Sequence, residues 1–484
     1  MYDIFVIAVI VALIILAIDK FSSKKEESPL MRGEHIRGAS IVTGSRSRDD
    51  MEITIGGIPI SDESASKHIG FAGSTGSGKS TALREVLCTL SERVRERGDR
   101  VVCVDNRGEF MSVFGSKEDT ILNPFDGRSV LWNPFSEVRD EKSDFRMLSR
   151  SLYPQKNSSQ PEWDDFAKGL FANVLMKLSR TKPDPAEVLR LITLSDREEI
   201  EGFLEGTSSS ISSSQENSKM FASIRSTLAQ ALDAWYSLPV DGSFSLRTWV
   251  HEGEGFLWLP YRPAQRASLQ YLISGWIDLL INEILALDED RSRKIWLICD
   301  ELTAIGQIPS LIDALTLGRK PGLSVLMCFQ SIAQLNDIYG KEKAQTIISN
   351  ARTKLVLAQG SHLDAAFWAD EIGKREYRED EHSESTNSGS SMGQGHSRSA
   401  GSSDSVSHRV KQDHLVLPSE LVDLPDNTGF LRVAGAGGIT PVSLSRIDLP
   451  RVMAPFVPID DSPEPEPVSV GKKSENGENG GESE

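Results

Sequence analysis

The sequence predicts an α/β protein with a mainly parallel sheet, helices on both faces and an inserted all-α domain, and three observations carry that prediction. Short apolar, β-branched runs alternate with helical patterns, the order that a parallel sheet covered on both sides requires. A glycine-rich run, Gly73-Ser74-Thr75-Gly76-Ser77-Gly78-Lys79-Ser80, stands between one such strand and a helix. From about Asp144 to Val250 strand-like runs vanish, and segments such as Pro161 to Leu178 and Met220 to Tyr236 space their apolar residues as helices do.

The elements follow in order. Ile4 to Ile18 is apolar throughout, which predicts a transmembrane anchor over residues 1–23. At about 1.5 Å per residue the run falls short of a roughly 30 Å hydrocarbon core, so Tyr2, Phe21 or local thinning of the bilayer must complete the span. A cleaved signal peptide and a buried core helix are the competing readings, and the first lacks a basic leader and an A-x-A-like cleavage site. Lys20, Lys24, Lys25, Arg32 and Arg37 follow it, whereas only Asp3 carries side-chain charge before it. That bias puts the bulk of the chain in the cytoplasm.

Ile53 to Ile55 and Ile58 to Ile60 flank Gly56-Gly57 as a hairpin. His68 to Ala72 reads as a buried strand, Thr81 to Leu87 opens a helix that ends at Gly98, and Arg100 to Asp105 is the next strand. Gly255 to Leu259, Lys294 to Asp300, Leu323 to Phe329 and Thr353 to Ala358 are further apolar runs, and Phe430 to Val433 with Pro441 to Leu444 form a closing pair. The nucleotide-binding part is thereby split into residues 24–143 and 251–458, with the all-α domain 144–250 between them. Ser208 to Ser214 is expected as an exposed loop and residues 379–411 as a flexible polar tract, because so few apolar residues cannot offset the entropy of ordering. Residues 459–484 read as a disordered acidic tail.

Composition narrows the class. A chain of 484 residues with 39% hydrophobic content holds two or three domains. Its four cysteines show no C-x-x-C spacing, which predicts buried thiols rather than disulfides or zinc. The net charge of -17 argues on average against nucleic acid, yet much of the acidity lies at the end of the chain. Basic residues gather in segments such as Arg139 to Arg150 and Arg262 to Arg266, as DNA-facing loops or as solvated surface.

The glycine-rich run fits G-x-x-x-x-G-K-[ST]. Backbone N–H groups of Gly73 to Thr81 must curl around a polyphosphate, and Gly73, Gly76 and Gly78 permit that close approach. Lys79 is placed to reach β- and γ-phosphates, Ser80 to ligate Mg²⁺, and the helix N-terminus to face the anion. Ile295 to Cys299 is an apolar strand that ends in Asp300 and Glu301, which suits Asp300 to the Mg²⁺ shell and Glu301 to polarising the attacking water. Gln330 ends another strand, as a γ-phosphate sensor or as an ordinary polar end. Arg319 precedes that strand, as an arginine finger, a solvated side chain or a DNA-phosphate contact. Asp105 to Phe110 is a polar turn after a strand.

Taken with Ile121-Leu122-Asn123-Pro124-Phe125-Asp126, Cys299-Asp300-Glu301-Leu302, Phe329-Gln330-Ser331, Gln334-Leu335 and Glu371-Ile372-Gly373, the chain resembles type IV secretion coupling proteins of the TraD type from about Arg37 to Pro458. The resemblance implies a RecA-like P-loop ATPase core with ATP and Mg²⁺, the all-α domain engaging a relaxosome, and a homo-hexameric ring around a DNA channel. It also implies a place at the bacterial inner membrane beside a type IV secretion channel and a relaxase. It gives Lys79, Asp300, Glu301, Gln330 and Arg319 the roles of phosphate, Mg²⁺, water, γ-phosphate and trans-arginine contact. Family members usually carry two transmembrane helices, whereas this chain shows one short apolar segment. An FtsK- or HerA-like DNA pump and a nucleotide-switched membrane adaptor are the alternatives.

Overall fold

The structure, a computed structural model, describes residues 30–33, 51–139, 142–153, 161–210, 218–390 and 398–459. The expected membrane anchor and the acidic tail from Asp460 lie outside them, and among the described residues no helix is long and apolar enough to cross a membrane.

The strands are β1 (Leu30–Gly33), β2 (Ile53–Ile55), β3 (Ile58–Ile60), β4 (Ile69–Ala72), β5 (Arg100–Asn106), β6 (Thr120–Ile121) and β7 (Phe256–Tyr261). After them come β8 (Ile295–Cys299), β9 (Leu323–Phe329), β10 (Thr353–Leu357), β11 (Lys374–Ser390), β12 (Arg398–His414), β13 (Thr428–Arg432) and β14 (Thr440–Ser443). Helices of seven residues or more are α1 (Lys79–Arg97), α2 (Lys142–Leu152), α3 (Pro161–Ser179), α4 (Pro185–Thr193), α5 (Arg197–Leu204) and α6 (Ser218–Ala231). They continue with α7 (Leu246–Glu252), α8 (Arg266–Leu285), α9 (Leu311–Leu317), α10 (Ile332–Tyr339), α11 (Lys341–Asn350) and α12 (His362–Ile372).

Nine strands form the central sheet in the order β14-β13-β10-β4-β9-β8-β5-β7-β6. From β10 to β6 every pairing is parallel, and only β13 and β14 join antiparallel, so the predicted mainly parallel sheet is what the chain builds. The period-two alternation of each strand explains why both faces are apolar. Val101 and Cys103 of β5, Trp296 and Ile298 of β8, and Leu326 and Cys328 of β9 face one core, which α1 covers with Leu83, Val86, Leu87 and Leu90. Val102 and Val104, Leu297 and Cys299, and Val325 and Met327 face the other, which α8 covers with Leu272, Trp276 and Leu280. Each fully buried side chain of this size contributes about 1.5–3 kcal/mol.

Among the described residues between Lys142 and Glu252 every named element is helical, and their buried apolar side chains are continuous with the α8 side of the sheet. Trp132 and Trp276 meet edge to face, 5.4 Å between ring centres, where the chain leaves β6 toward α2. A charged knot closes the same place. Arg247, buried in α7, donates to Asp144 Oδ1 at 2.8 Å and to the Glu137 carbonyl at 2.9 Å, and its Nε lies 3.4 Å from Glu283 of α8.

Two expectations are corrected. Residues 379–411 were expected to be flexible, but most of them belong to β11 and β12, whose seventeen paired positions form one antiparallel ladder that β1 extends. Composition counts the apolar surface a tract can bury; ladder hydrogen bonds satisfy backbone groups without it. In the tract Ser208–Ser214, the described Ser208–Ser210 form a turn of 3₁₀ helix with Ser209 buried, because the Asn173 amide of α3 donates to Ser209 Oγ at 2.7 Å.

Candidate functional site

The phosphate-loop pattern lies at the C-terminal edge of the sheet, where β4 stops at Ala72 between β10 and β9. Both neighbours hold the loop: Gly73 N donates to the Phe329 carbonyl at 3.2 Å, and Ser74 N and Oγ donate to the Ala358 carbonyl at 2.8 and 3.1 Å. Ser77 closes the turn, its hydroxyl donating to the Ser74 carbonyl at 2.8 Å. Gly76 and Gly78 take φ of +84° and +117°, which a side chain resists, and α1 begins at Lys79 with its free N–H groups at the loop. Lys79, buried at 8% exposure, donates back from Nζ to the carbonyls of Gly73 and Ser74 at 2.6 and 2.8 Å. Burial lowers its pKa, against the opposing pull of Asp300 and Glu301. Thr75, Gly76 and Ser80 are exposed, and Thr81 is half-buried.

Two strands away from β4, β8 delivers Asp300 and Glu301 to the same edge. The register Val104 to Cys299 sets Asp105 across from Asp300. Asp105 is fully buried; one carboxylate oxygen accepts from Met111 N at 2.7 Å, and the other has no partner. Burial, with the Asp300 charge adding to it, pushes Asp105 up to about 8. Burial likewise raises Asp300 to about 7, with Glu109 and Glu301 adding to the shift and Lys79 opposing it. Tyr261, at the end of β7, feels the same crowding: burial raises its pKa first, then Glu301 and Asp300. Glu109 is tied by Arg84 of α1, so the turn after β5 is fastened to the helix that starts at the phosphate loop.

Acids packed this closely, with a nearby lysine turned onto carbonyls, suit a multiply charged cation. Among the described residues no three His, Cys, Asp or Glu side chains converge as a protein-only metal cage. Oxygen donors such as the Asp300 carboxylate and the Ser80 hydroxyl are chemically suited to a hard cation that shares its shell with phosphates, as Mg²⁺ does.

The fold brings Gly73 to Thr81, Asp300, Glu301 and Gln330 to one edge. Gln330 follows β9, which runs between the phosphate-loop strand and β8. Arg319 it does not bring there. That residue precedes β9 at the opposite end of the sheet, separated from Gln330 by the strand's seven residues at about 3.3 Å each, and pairs with Glu63 at 3.8 Å. Sequence reasoning passed over Asp105, Glu109 and Tyr261 as acting groups, although the Asp105 turn was visible. It also missed Asn427. That residue, at φ +61°, donates its N–H to the Ser77 carbonyl at 2.9 Å and closes over Gly78. Only the Pro425-Asp426-Asn427 turn signal before β13 hinted at it.

The family described as type IV secretion-system coupling protein DNA-binding domain matches residues 52–445. Coupling protein TraD of Escherichia coli (strain K12) is 29% identical over 490 residues, covering 96% of this chain; the chain spans 66%, just under two thirds, of that protein's length. The unbound bacterial conjugative coupling protein TrwBdeltaN70 superposes with a TM-score of 0.78 at 30% identity, covering 89% of this chain and 96% of that one. Plasmid coupling protein TrwB in complex with ADP and Mg²⁺ gives 0.77 at 31% identity, over 89% and 97% of the two chains.

Proposed function

The chain belongs to the family of type IV secretion-system coupling proteins, and on that premise we propose that it is a membrane-anchored, ATP-driven DNA translocase that passes a relaxase-bound DNA strand to a type IV secretion channel in bacterial conjugation. The observation that carries the reading is the meeting, at one sheet edge, of the Lys79 phosphate loop with the crowded carboxylates Asp105, Asp300 and Glu301. A relative solved with ADP and Mg²⁺ supports that choice of ligands.

Ser80 and Asp300 would hold Mg²⁺, which would supply charge neutralisation on the phosphates. Lys79 exchanges the carbonyls of Gly73 and Ser74 for β- and γ-phosphate oxygens, and the first N–H groups of α1 face the same anion. Glu301 orients a water and accepts its proton, and Gln330 reads the γ-phosphate. Arg319, far from its own chain's loop, serves a neighbour's nucleotide in a head-to-tail homo-hexamer, where one closed interface brings opposite sheet ends together. The helical segment 144–250 meets the relaxosome, and residues 1–23 fix the ring at the inner membrane.

The test is steady-state ATP hydrolysis by the full chain in detergent, with and without single- or double-stranded DNA, beside Glu301→Gln. Stimulation by DNA, with a loss of about 10²-fold or more in the variant while nucleotide still binds, is expected. Turnover that ignores DNA would replace the motor with a nucleotide-switched adaptor.

A further inference from the structure

One helix of the inserted segment carries charge opposite to that of the chain as a whole. Lys142, Arg146 and Arg150 stand at four-residue steps on α2, all exposed, and so form a row about 6 Å apart along the helix axis. Lys168 of α3 joins them, its ammonium 5.4 Å from the centre of the Tyr153 ring. Cavities of about 490 and 470 Å³ flank the row, and all four cations line both. Among the described residues, the exposed acids that line them are Asp313 in one and Asp165 in the other. Asp278, in the first, is buried, and its carboxylate is occupied by donors from Ser310, Ser151 and Asn282. Like charges at four-residue spacing destabilise a helix, so the row is set against folding in a chain whose net charge is -17.

We propose that this row is a rail for the phosphodiester backbone of single-stranded DNA, a proposal that rests on the DNA-motor reading above. Phosphates seat on the four cations, and unpaired bases turn into the two cavities, each of which has room for a group of drug-like size. Paired bases of a duplex are held inward and cannot enter them. The rail also connects toward the strand that ends in Asp300 and Glu301: Pro309 and Ser310, on one cavity wall, come after the 3₁₀ turn Leu302–Ile305 that follows Glu301, and Ser310 and Ser151 of α2 are both hydrogen-bonded to Asp278 of α8.

The test measures binding of a fluorescein-labelled oligothymidylate to the full chain by anisotropy across a KCl series, with a duplex of equal length in parallel. Each phosphate neutralised on a single strand contributes about 0.7 to the slope of log affinity against log salt. The double variant Arg146→Gln/Arg150→Gln is expected to bind the single strand more weakly and to lose about 1.4 of slope, twice that unit. Arg146→Lys/Arg150→Lys keeps the charge and should keep the slope, which a merely structural role would not. Arg291→Gln, 85% exposed ahead of β8, is the control for a distant lost charge. A wild-type slope in the glutamine double variant overturns the rail, and so does an equal loss on duplex and single strand. Failure of the wild-type chain to bind DNA overturns instead the reading on which it rests.

Discussion

A methyl group added at Gly78 should cost far more than one added two residues earlier, and the structure says by how much. Gly76→Ala and Gly78→Ala both force a side chain onto positive φ, which costs about 1–2 kcal/mol. At Gly76 the new Cβ meets open space, so that is the whole penalty. At Gly78 it arrives 2.9 Å from Asn427 Oδ1, 3.0 Å from Asn427 Cα and 3.3 Å from Asn427 N, and overpacking of this kind adds about 1–3 kcal/mol. The total, about 2–5 kcal/mol, appears as lost stability, weaker nucleotide binding, or both. Asn427 already has φ +61°, so Asn427→Gly is tolerated by its own backbone and removes the nearest atom of the clash. Combined with Gly78→Ala, it should recover about 1–2 kcal/mol, with the backbone contacts accounting for the remainder. Thermal unfolding and titration of a fluorescent ATP analogue, run on both single variants and the pair, measure the cycle. A coupling below about 0.5 kcal/mol, or equal losses in the two glycine variants, would refute the reasoning.

Two further outcomes follow from buried charge. Arg247→Met strips the buried Asp144 carboxylate of its guanidinium and should cost about 3–5 kcal/mol in chemical denaturation, although Glu283 keeps Arg139 and His251; a loss under about 1 kcal/mol would show the knot to be dispensable. His68 accepts from Val325 N at 3.1 Å on Nδ1 and therefore donates to the Leu315 carbonyl from Nε2, while burial lowers its pKa to about 4. The folded value lies below the unfolded one near 6.5, so its contribution is complete above that pH and declines, by up to about 3 kcal/mol, as pH falls toward 4. His68→Gln should flatten that part of the stability profile relative to wild type, and an unchanged profile would exclude His68 as its source.

Local pattern told most where one strand or loop sufficed. The phosphate loop is legible because its chemistry is contiguous: strand, glycines, lysine and helix follow one another between Ile69 and Arg97. Asp300 and Glu301 were legible for the same reason, as the polar end of an apolar strand. What the sequence hid was adjacency across strands. Nothing near Asp105 announces that β5 pairs with β8 and lays its carboxylate opposite Asp300, nor that Asn427, some 350 residues beyond Gly78 in sequence, shields that glycine. The hairpin of β11 and β12 escaped because its composition offers no buried face, and a ladder of backbone bonds leaves no apolar signature.

The same topology links the nucleotide site to the inserted helices. A change at Glu301 can act on the 3₁₀ turn Leu302–Ile305 and the loop after it, which ends at Ser310. Ser310 is held by Asp278 of α8, and the other oxygen of that buried carboxylate holds Ser151 of α2. Arg266, at the start of α8, donates to the Ala304 carbonyl at 3.0 Å, so the helix is fastened to the segment after Glu301 at its beginning and again at Asp278. A helix bound twice to one loop cannot tilt without moving that loop, because packed interiors repack in discrete steps rather than deform smoothly. On the proposed DNA-motor reading, nucleotide state at the sheet edge and strand position along α2 would be joined through α8, and the free energy by which one biases the other would then be the same in both directions.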